Sequence, residues 1–444
     1  MRTRRSPSRP SALPTTRGPG RRAVLGGAMA AAGMAATGCG ANARSTSGQL
    51  RLSEWNLFTG GDGLRLLEMH RQYQEAHPEI DLRASTFDWG SPFYTKVAMG
   101  AAGGRGADVA TAHVSRLESL APGQLLDPID PAALAEFGID DTVVLPEAWD
   151  ECFFDGQLYA VPLDTHLLVQ YYNLDVCRQA GVLGPDDRLI ATSGSDEFLD
   201  MLEAIRDVTG SLALSIDTAL PWPVFWTFYR QQDGELVLGE DGQFEMDDDK
   251  ALTAMELMYR LSGEGLAPRH SAEMDTAANV SNGAAGLMFH GNWEIPTLEE
   301  TGVDFSVTRF PDLFGNHRTR GDSHCYVLPH QRDRDPEVTR ASLEYIASML
   351  KSSLTWAGGG HIPAYQPVAE SEEFDALHPQ SEYRGAVEDI VFEPEGWFSG
   401  SAGRLQDELN GPLSTLHTGT QTPEEVLTDV KERLRALLQI PAPV

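Results

Sequence analysis

The segment that decides the fold runs from Asp155 to Asp175 and has the sequence DGQLYAVPLDTHLLVQYYNLD. Its aliphatic and aromatic residues predict two strands, over residues 159–162 and 167–172. Asp164, Thr165 and His166 stand between these strands. Ligand sites of open α/β sheets lie outside the carboxyl ends of strands, so these three polar residues are candidates for a binding site.

Toward the N-terminus, strand and helix patterns alternate. Alternating residues predict a strand over 50–55, a glycine-rich turn follows at 60–63, and apolar residues at helical spacing continue to His77-Pro78, where the pattern stops. Further along, we expect strands over 80–84 and 108–112 and a short helix over 96–102. This alternation is typical of βαβ units on a mostly parallel sheet.

Toward the C-terminus, the same theme continues. Helical spacing is found over residues 198–205, 252–261 and 340–350, and Leu287-Met288-Phe289 predicts a buried strand. The last helix has the clearest start, because Thr422-Pro423-Glu424-Glu425 combines a capping box with proline at the first helical position.

The N-terminus predicts export and a lipid anchor. Arg21-Arg22 precedes a small-residue apolar run over 23–37, and Cys39 follows directly after it. This pattern is typical of a Tat-type lipoprotein signal over residues 1–38, with Cys39 lipidated and residues 39–48 as a tether. The run is about 15 residues, too short to span a bilayer core of roughly 30 Å as a helix. We therefore expect anchorage to the outer face of the cell membrane.

Net charge and length indicate what the chain does not bind and how many domains it has. Residues 1–38 contain seven arginines and no acidic residue, so their removal changes the net charge from −31 to −38. A chain this acidic is not expected to bind nucleic acid through phosphates. The roughly 400 residues that follow the predicted signal, in a chain with 41 % hydrophobic content, predict two or three domains with substantial cores.

Cysteine and histidine spacing predicts no metal site or cofactor. With Cys39 assigned to lipid, Cys152, Cys177 and Cys325 remain, and this odd number fits three buried thiols or one disulfide and a spare thiol. The chain has no Cys-x-x-Cys or His-Glu-x-x-His spacing.

Taken in order, these segments resemble the family 1 extracellular solute-binding proteins of ABC importers, the maltose-binding-protein-like sugar binders. The resemblance covers nearly all of the chain after the signal and is strongest over 155–175. The other segments that carry it are Trp55-Asn56, residues 73–82, Ala107-Asp108-Val109-Ala110, Asp196-Glu197-Phe198-Leu199 and residues 282–293.

The resemblance implies an α/β, two-lobed periplasmic-binding-protein-like fold of type II, with the ligand cleft between lobes joined by crossover strands. It implies crossovers near residues 162–166, 318–323 and 358–363. The N-lobe would then comprise residues 49–163 and 320–360, and the C-lobe residues 164–319 and 361–444. It also implies ABC permease subunits as partners, and we expect a monomer.

Sugars need flat aromatic surface for their C–H faces and polar groups that both donate and accept for their hydroxyls. Trp293 and Trp397 are the foremost aromatic candidates. Residues 221–226, with two prolines, are expected to form a rigid aromatic loop, and of its Trp222 and Trp226 we expect one in the cleft and the other in the core. The full set of candidate ligand-binding residues is Trp55, Asn56, Asp88, Trp89, His113, Asp164, His166, Trp222, Trp226, Asn292, Trp293, His324 and Trp397.

Three alternatives stay open beside a neutral mono- or oligosaccharide. A glycerol-phosphate-type ligand would need cations in the cleft, and only Arg105 and Arg318 are near the candidate loops. A secreted carbohydrate-active enzyme would use two carboxylates. Because the chain has 65 acidic residues, the presence of a suitable pair would not by itself support an enzyme. A sensor or adhesion lipoprotein would bind sugar without a transporter.

Overall fold

The computed structural model describes residues 48–239 and 242–442. The predicted signal, the lipidation site Cys39 and all of the tether but residue 48 lie outside these residues. Within the described part, no helix is both long and apolar enough to cross a membrane. The chain is a mixed α/β protein.

The strands are β1 (Leu50–Asn56), β2 (Ile80–Thr86), β3 (Val109–His113), β4 (Leu126–Asp127), β5 (Phe153–Phe154), β6 (Gln157–Leu158), β7 (Ala160–Pro162), β8 (Asp164–Asn173), β9 (Leu214–Ser215), β10 (Leu236–Leu238), β11 (Phe244–Met246), β12 (Leu287–Gly291), β13 (Phe305–Arg309), β14 (Thr319–Asp322), β15 (His324–Pro329), β16 (Ile362–Pro363) and β17 (Ile390–Val391).

The α-helices span Gly60–Ala76, Ser91–Ala102, Leu117–Leu120, Pro131–Ala135, Pro146–Asp150, Leu174–Ala180, Ser195–Thr209, Trp222–Arg230, Asp248–Gly263, Glu273–Ser281, Ile295–Thr301, Pro336–Lys351, Ser353–Ala357, Gln366–Ala369, Glu372–Asp375, Arg404–Thr418 and Pro423–Leu438. Short 3₁₀ segments cover Val114–Arg116, Asn292–Glu294 and Gln380–Asp389.

The first sheet has the order β2-β1-β3-β15-β4, with β7 paired to β15. β1 is parallel to both β2 and β3, and helices Gly60–Ala76 and Ser91–Ala102 connect these strands. The predicted βαβ units at the N-terminus are therefore confirmed. β15 is antiparallel to β3 and brings a distant part of the chain into this sheet.

The second sheet is organised around β8, which is buried along all ten residues. Its order is β17-β14-β8-β12-β9, and β13 and β16 also pair with β8. The chain passes from the first sheet to the second between Pro162 and Asp164, and returns between Asp322 and His324. Residues 155–175 thus contribute strand β7 to the first sheet and the central strand β8 to the second.

A large hydrophobic cluster packs against the second sheet and contains both Trp222 and Trp226. The segment that carries them was expected to be an aromatic loop, but it is the helix Trp222–Arg230. Helix Pro423–Leu438 completes this core, and the predicted capping box is confirmed, because the Thr422 side chain accepts a hydrogen bond from the Glu425 backbone N–H. The three cysteines after Cys39 are buried free thiols.

Candidate functional site

A cavity of about 450 Å³ lies where strand ends from both sheets meet. His113 ends β3 and His324 begins β15 in the first sheet. His166 lies near the start of β8 and Gly291 ends β12 in the second sheet. All four residues line the cavity, whose volume is within the range of about 300–1,000 Å³ typical of small-molecule sites.

Two tryptophans give the cavity flat apolar surface. The Trp293 ring lies edge-on to His166 and His290, with ring centroids 5.6 and 5.8 Å apart. Trp89 keeps 57 % of its surface exposed. Gly291 is required next to Trp293, because a Cβ atom there would lie 2.1 Å from the indole ring.

Three buried imidazoles, those of His113, His166 and His324, line the cavity beside Trp293. The His166 and His324 rings stack with centroids 4.1 Å apart, and His113 lies 4.7 Å from His324. Burial lowers the pKa of His166 to about 4, and neighbouring His324 acts in the same direction. A neutral imidazole both donates and accepts a hydrogen bond, which suits a hydroxyl group.

Behind these rings, Asp164 is fully buried and connects several side chains. Its Oδ1 lies 3.1 Å from His166 Nδ1, and its Oδ2 lies 2.7 Å from His324 Nδ1. Trp356 Nε1 donates to Oδ2 at 2.5 Å, and the His324 backbone N–H donates to Oδ1 at 2.9 Å. Burial alone would raise the pKa of Asp164, but His324 and His361 together with these hydrogen bonds hold it well below its ordinary value.

His361 lies between two carboxylates. Its Nε2 is 3.1 Å from Asp62 Oδ1, and its Nδ1 is 3.2 Å from Asp164 Oδ2. Burial would lower its pKa, but the two carboxylates outweigh burial and raise the pKa to about 10. Asp62 itself lines the cavity, so the row of charged groups formed by Asp164, His361 and Asp62 extends to the ligand space.

Arg320 brings a guanidinium to the cavity, and its charge is matched. Its Nη2 donates to Glu393 Oε1 at 3.0 Å and to Ser401 Oγ at 2.9 Å. Nearby Asp322 accepts from Ser401 Oγ at 2.7 Å. Burial alone would raise the pKa of Asp322, but His113, His166 and Arg320 lower it to about 2.

The family model described as bacterial extracellular solute-binding protein matches residues 65–348, more than half of the chain. This chain belongs to the bacterial extracellular solute-binding proteins. It is 22 % identical to a lactose-binding protein of Rhizobium radiobacter over 329 residues, which cover 71 % of this chain and 74 % of that protein. It is also 28 % identical over 218 residues to an arabinooligosaccharide-binding protein of Bacillus subtilis (strain 168), covering 46 % and 47 % of the two chains.

Solved structures agree on the fold. The GacH receptor of Streptomyces glaucescens, crystallised without ligand and with acarbose, superposes with a TM-score of 0.74 at 19 % identity, covering 88 % of this chain and 98 % of that one. Maltose-bound MalE3 of T. maritima gives a TM-score of 0.72 at 17 % identity, covering 87 % and 99 %. The predicted two-lobed α/β fold of this solute-binding protein is therefore confirmed.

The structure brings five of the predicted ligand-binding residues to the cavity wall: Trp89, His113, His166, Trp293 and His324. Asp164 does not line the cavity but holds two of these imidazoles from behind. Asn292 is likewise fully buried, where its amide donates to the Gly360 carbonyl at 2.9 Å and accepts from the Leu167 backbone N–H. Both residues position the cavity wall rather than form it.

The remaining predicted residues lie away from the cavity. Trp222 and Trp226 stack on each other in the core, with centroids 5.4 Å apart, so neither indole is in the cleft, where one was expected. Trp397 is half-buried and packs against the same core.

In the first sheet, Trp55 packs against Phe87, and Asn56 is buried with its amide donating to Glu54. Asp88 is exposed and does not line the cavity, unlike its neighbour Trp89.

Sequence reasoning missed several polar residues of the site, namely Asp62, Asp217, Glu273, His290, Arg320, His361, Gln406 and Asn410. Asp62 was assigned to a turn, but it lies in the first turn of helix Gly60–Ala76. His361 stood within the segment expected to be the third crossover, so its location in the sequence could have indicated it.

Proposed function

We propose that this solute-binding protein binds a neutral mono- or oligosaccharide in the cavity and delivers it to the permease subunits of an ABC importer. The observation that carries the proposal is the pairing of aromatic surface from Trp293 and Trp89 with the neutral imidazoles of His113 and His166 beside it. Aromatic faces match the C–H surface of a pyranose, and imidazoles match its hydroxyls. The relatives and structural neighbours named above that bind lactose, arabinooligosaccharides, acarbose and maltose support this choice.

An anionic ligand is disfavoured by the charges of the cavity. Arg320 is already paired with Glu393, and three carboxylates, those of Asp62, Asp217 and Glu273, also line the space. Arg318, considered from sequence, is instead paired with exposed Asp233. Among the residues that line the cavity, a phosphate or carboxylate ligand would therefore meet carboxylates and no guanidinium or ammonium group free to pair with it. We accordingly prefer a binding protein for neutral sugars over a glycerol-phosphate binder. The family match and the fold favour a binding protein over a carbohydrate-active enzyme.

We further propose that the protein is a monomer held at the membrane by lipid on Cys39 and that ligand binding closes the lobes. The sequence suggested lobes of residues 49–163 with 320–360 and residues 164–319 with 361–444, but strand β14 pairs within the second sheet, so we propose that residues 320–322 belong to the second lobe. The passage of the chain between the sheets at residues 162–164 and 322–324 supports a hinge there. A few residues at such passages are the usual hinge in domain closure.

A thermal-shift screen against a panel of sugars tests the ligand class. We expect a neutral sugar to raise the melting temperature, because a ligand that binds only the folded state stabilises it by mass action. Glycerol 3-phosphate and inorganic phosphate serve as anionic controls. Stabilisation by these anions and by none of the sugars would contradict the proposal.

Expression of Cys39→Ala followed by cell fractionation tests the anchor. We expect the parent in the membrane fraction and the variant in the soluble extracytoplasmic fraction. A variant that stays with the membrane as the parent does would exclude lipid on Cys39 as the anchor.

A further inference from the structure

Four buried side chains with metal-binding atoms converge behind the cavity. Asp164 and His166 come from the start of β8, His324 from the start of β15, and His361 from the residue directly before β16. One oxygen or nitrogen from each side chain falls within 4.8 Å of all the others. We call these four residues the histidine cluster.

The distances within the cluster are those of neighbouring ligands around one ion. The carboxylate oxygens of Asp164 lie 2.7 Å from His324 Nδ1, 3.1 Å from His166 Nδ1 and 3.2 Å from His361 Nδ1. A tetrahedral zinc ion with ligand bonds of about 2.0–2.1 Å sets neighbouring ligand atoms about 3.3 Å apart. An ion can enter with small side-chain movements once His361, which the two carboxylates hold protonated, releases the proton of its Nδ1.

Three further features of the cluster match a metal site. His361 Nε2 faces Asp62 Oδ1 at 3.1 Å, and metal-bound histidines usually donate their other ring N–H to a carboxylate in this manner. His361 Nδ1, on the cluster side, is buried and faces Asp164 Oδ2 at 3.2 Å without a well-aligned hydrogen bond. The Trp356 indole N–H donates to Asp164 Oδ2 at 2.5 Å and fixes the carboxylate.

We propose that Asp164, His166, His324 and His361 bind a divalent transition-metal ion, with Zn²⁺ the best match to three imidazoles and one carboxylate. Mixed nitrogen and oxygen donors in four-coordinate geometry favour zinc over the hard cations, which prefer oxygen alone. The carboxylates of Asp164 and Asp62 balance the two charges of the ion. His166 and His324 line the cavity, so the ion reaches the site through the ligand space.

The site would connect three separate segments of the chain. Two of its segments adjoin the passages between the sheets at residues 162–164 and 322–324, and the third leads into β16, which pairs with β8 at Asp164 and Thr165. A bound ion would therefore hold together the strand ends at the base of the cavity. We expect Zn²⁺ to raise the melting temperature of the protein without any sugar present.

Calorimetric titration of chelator-treated protein with Zn²⁺ alone tests the proposal. We expect one ion per chain, and Co²⁺ in its place should give the intense visible bands of tetrahedral coordination. His361→Ala and His166→Ala should each weaken binding by more than the roughly 10–100-fold that loss of an outer partner costs. His290→Ala is the matched control, because His290 lines the same cavity outside the cluster.

Each variant is compared with its own melting curve in chelator, so that a folding defect is separated from a binding defect. If His361→Ala does not fold, Asp62→Asn takes its place with an expected loss of about 10–100-fold as an outer partner. The absence of saturable Zn²⁺ binding overturns the proposal. Parent-like affinity in either ligand variant, or an equal loss in His290→Ala, overturns it as well.

Discussion

Two buried polar clusters lie near the first sheet, and only one of them adjoins the cavity. The histidine cluster surrounds Asp164, whose two oxygens each face protein partners and whose neighbours His166 and His324 line the ligand space. The second cluster surrounds Glu54, also fully buried, whose Oε2 accepts from Asn56 at 2.8 Å while its Oε1 has no partner among the described residues.

The two central carboxyl groups, those of Asp164 and Glu54, also differ in the direction in which their pKa is shifted. Burial would raise the pKa of both carboxylates, but the imidazoles and hydrogen bonds around Asp164 hold its pKa well below the ordinary value. Glu54 has a single lowering hydrogen bond, from Asn56, and burial raises its pKa to about 8. Of these two buried carboxyl groups, the one whose neighbours reach the cavity is therefore the one that its partners keep charged.

The largest expected effect is that of Asp164→Asn. The change removes the charge that balances His361 and one acceptor oxygen from a site with several donors, which leaves buried polar groups unpaired. Breaking a buried charged pair costs about 3–5 kcal/mol, so we expect a loss of that size in the free energy of unfolding, measured in urea at pH 7. Glu54→Gln is the matched control and should not destabilise the protein at this pH, because it replaces a carboxyl group whose burial disfavours the charged form. Equal losses in the two variants would remove the distinction between the clusters.

The second effect is the pH dependence of Glu54→Gln. Because the folded pKa of Glu54 is about 8 and its ordinary value is 4.5, the folded parent holds a proton that the unfolded chain releases. Parent stability relative to the variant should therefore fall as pH rises from 4.5 to 8 and then level off, by up to about 5 kcal/mol in total. Burial lowers the pKa of His70, 4.0 Å away, to about 4, so it remains neutral over most of this range.

Urea unfolding of parent and variant at pH 5, 7 and 9 measures this difference. A difference that does not change with pH would mean that Glu54 is charged throughout. The two clusters would then share the same electrostatics.

The fold could be predicted further from the sequence than the site could. The βαβ units, the segment 155–175 and the capping box at Thr422 depend on patterns within a few residues, and local patterns of this kind determine local structure. The helix Trp222–Arg230 was missed because Pro221 and Pro223 suggested a loop, although proline is accepted in the first turn of a helix.

The site depends on which face of an element each side chain occupies and on contacts between distant segments. Adjacent residues separate for this reason: Trp89 lines the cavity and Asp88 does not, and Trp293 lines it whereas Asn292 is buried behind it. The histidine cluster joins residues as far apart as 164 and 361, so no spacing motif could predict it. Asp164 and His166 were placed near a ligand by their position between two predicted strands and by the resemblance.

The third effect concerns the aromatic wall. Trp293→Ala should weaken binding of the sugar found in the screen by roughly 1–3 kcal/mol, since this is what burial of a large apolar side chain contributes. That corresponds to about a five- to 140-fold loss, because 1.4 kcal/mol is one decade in affinity. Isothermal calorimetry measures it, with Trp226→Phe as the control that alters the core but not the cavity. A parent-like affinity of Trp293→Ala would make this ring structural.

The smallest effect is expected at the exposed end of the cavity. Trp89 is 57 % exposed, so a sugar can bury only part of its ring, and Trp89→Ala should cost less than about 1 kcal/mol, or under roughly fivefold in affinity. Trp55→Ala is the matched control, because Trp55 is also partly exposed but packs against Phe87 and Lys96 away from the cavity. Calorimetry with sugars of increasing length sharpens the test, since a ring at the rim should matter more for an oligosaccharide than for a monosaccharide. Equal, negligible losses in both variants with every sugar would restrict recognition to Trp293 and the imidazoles beside it.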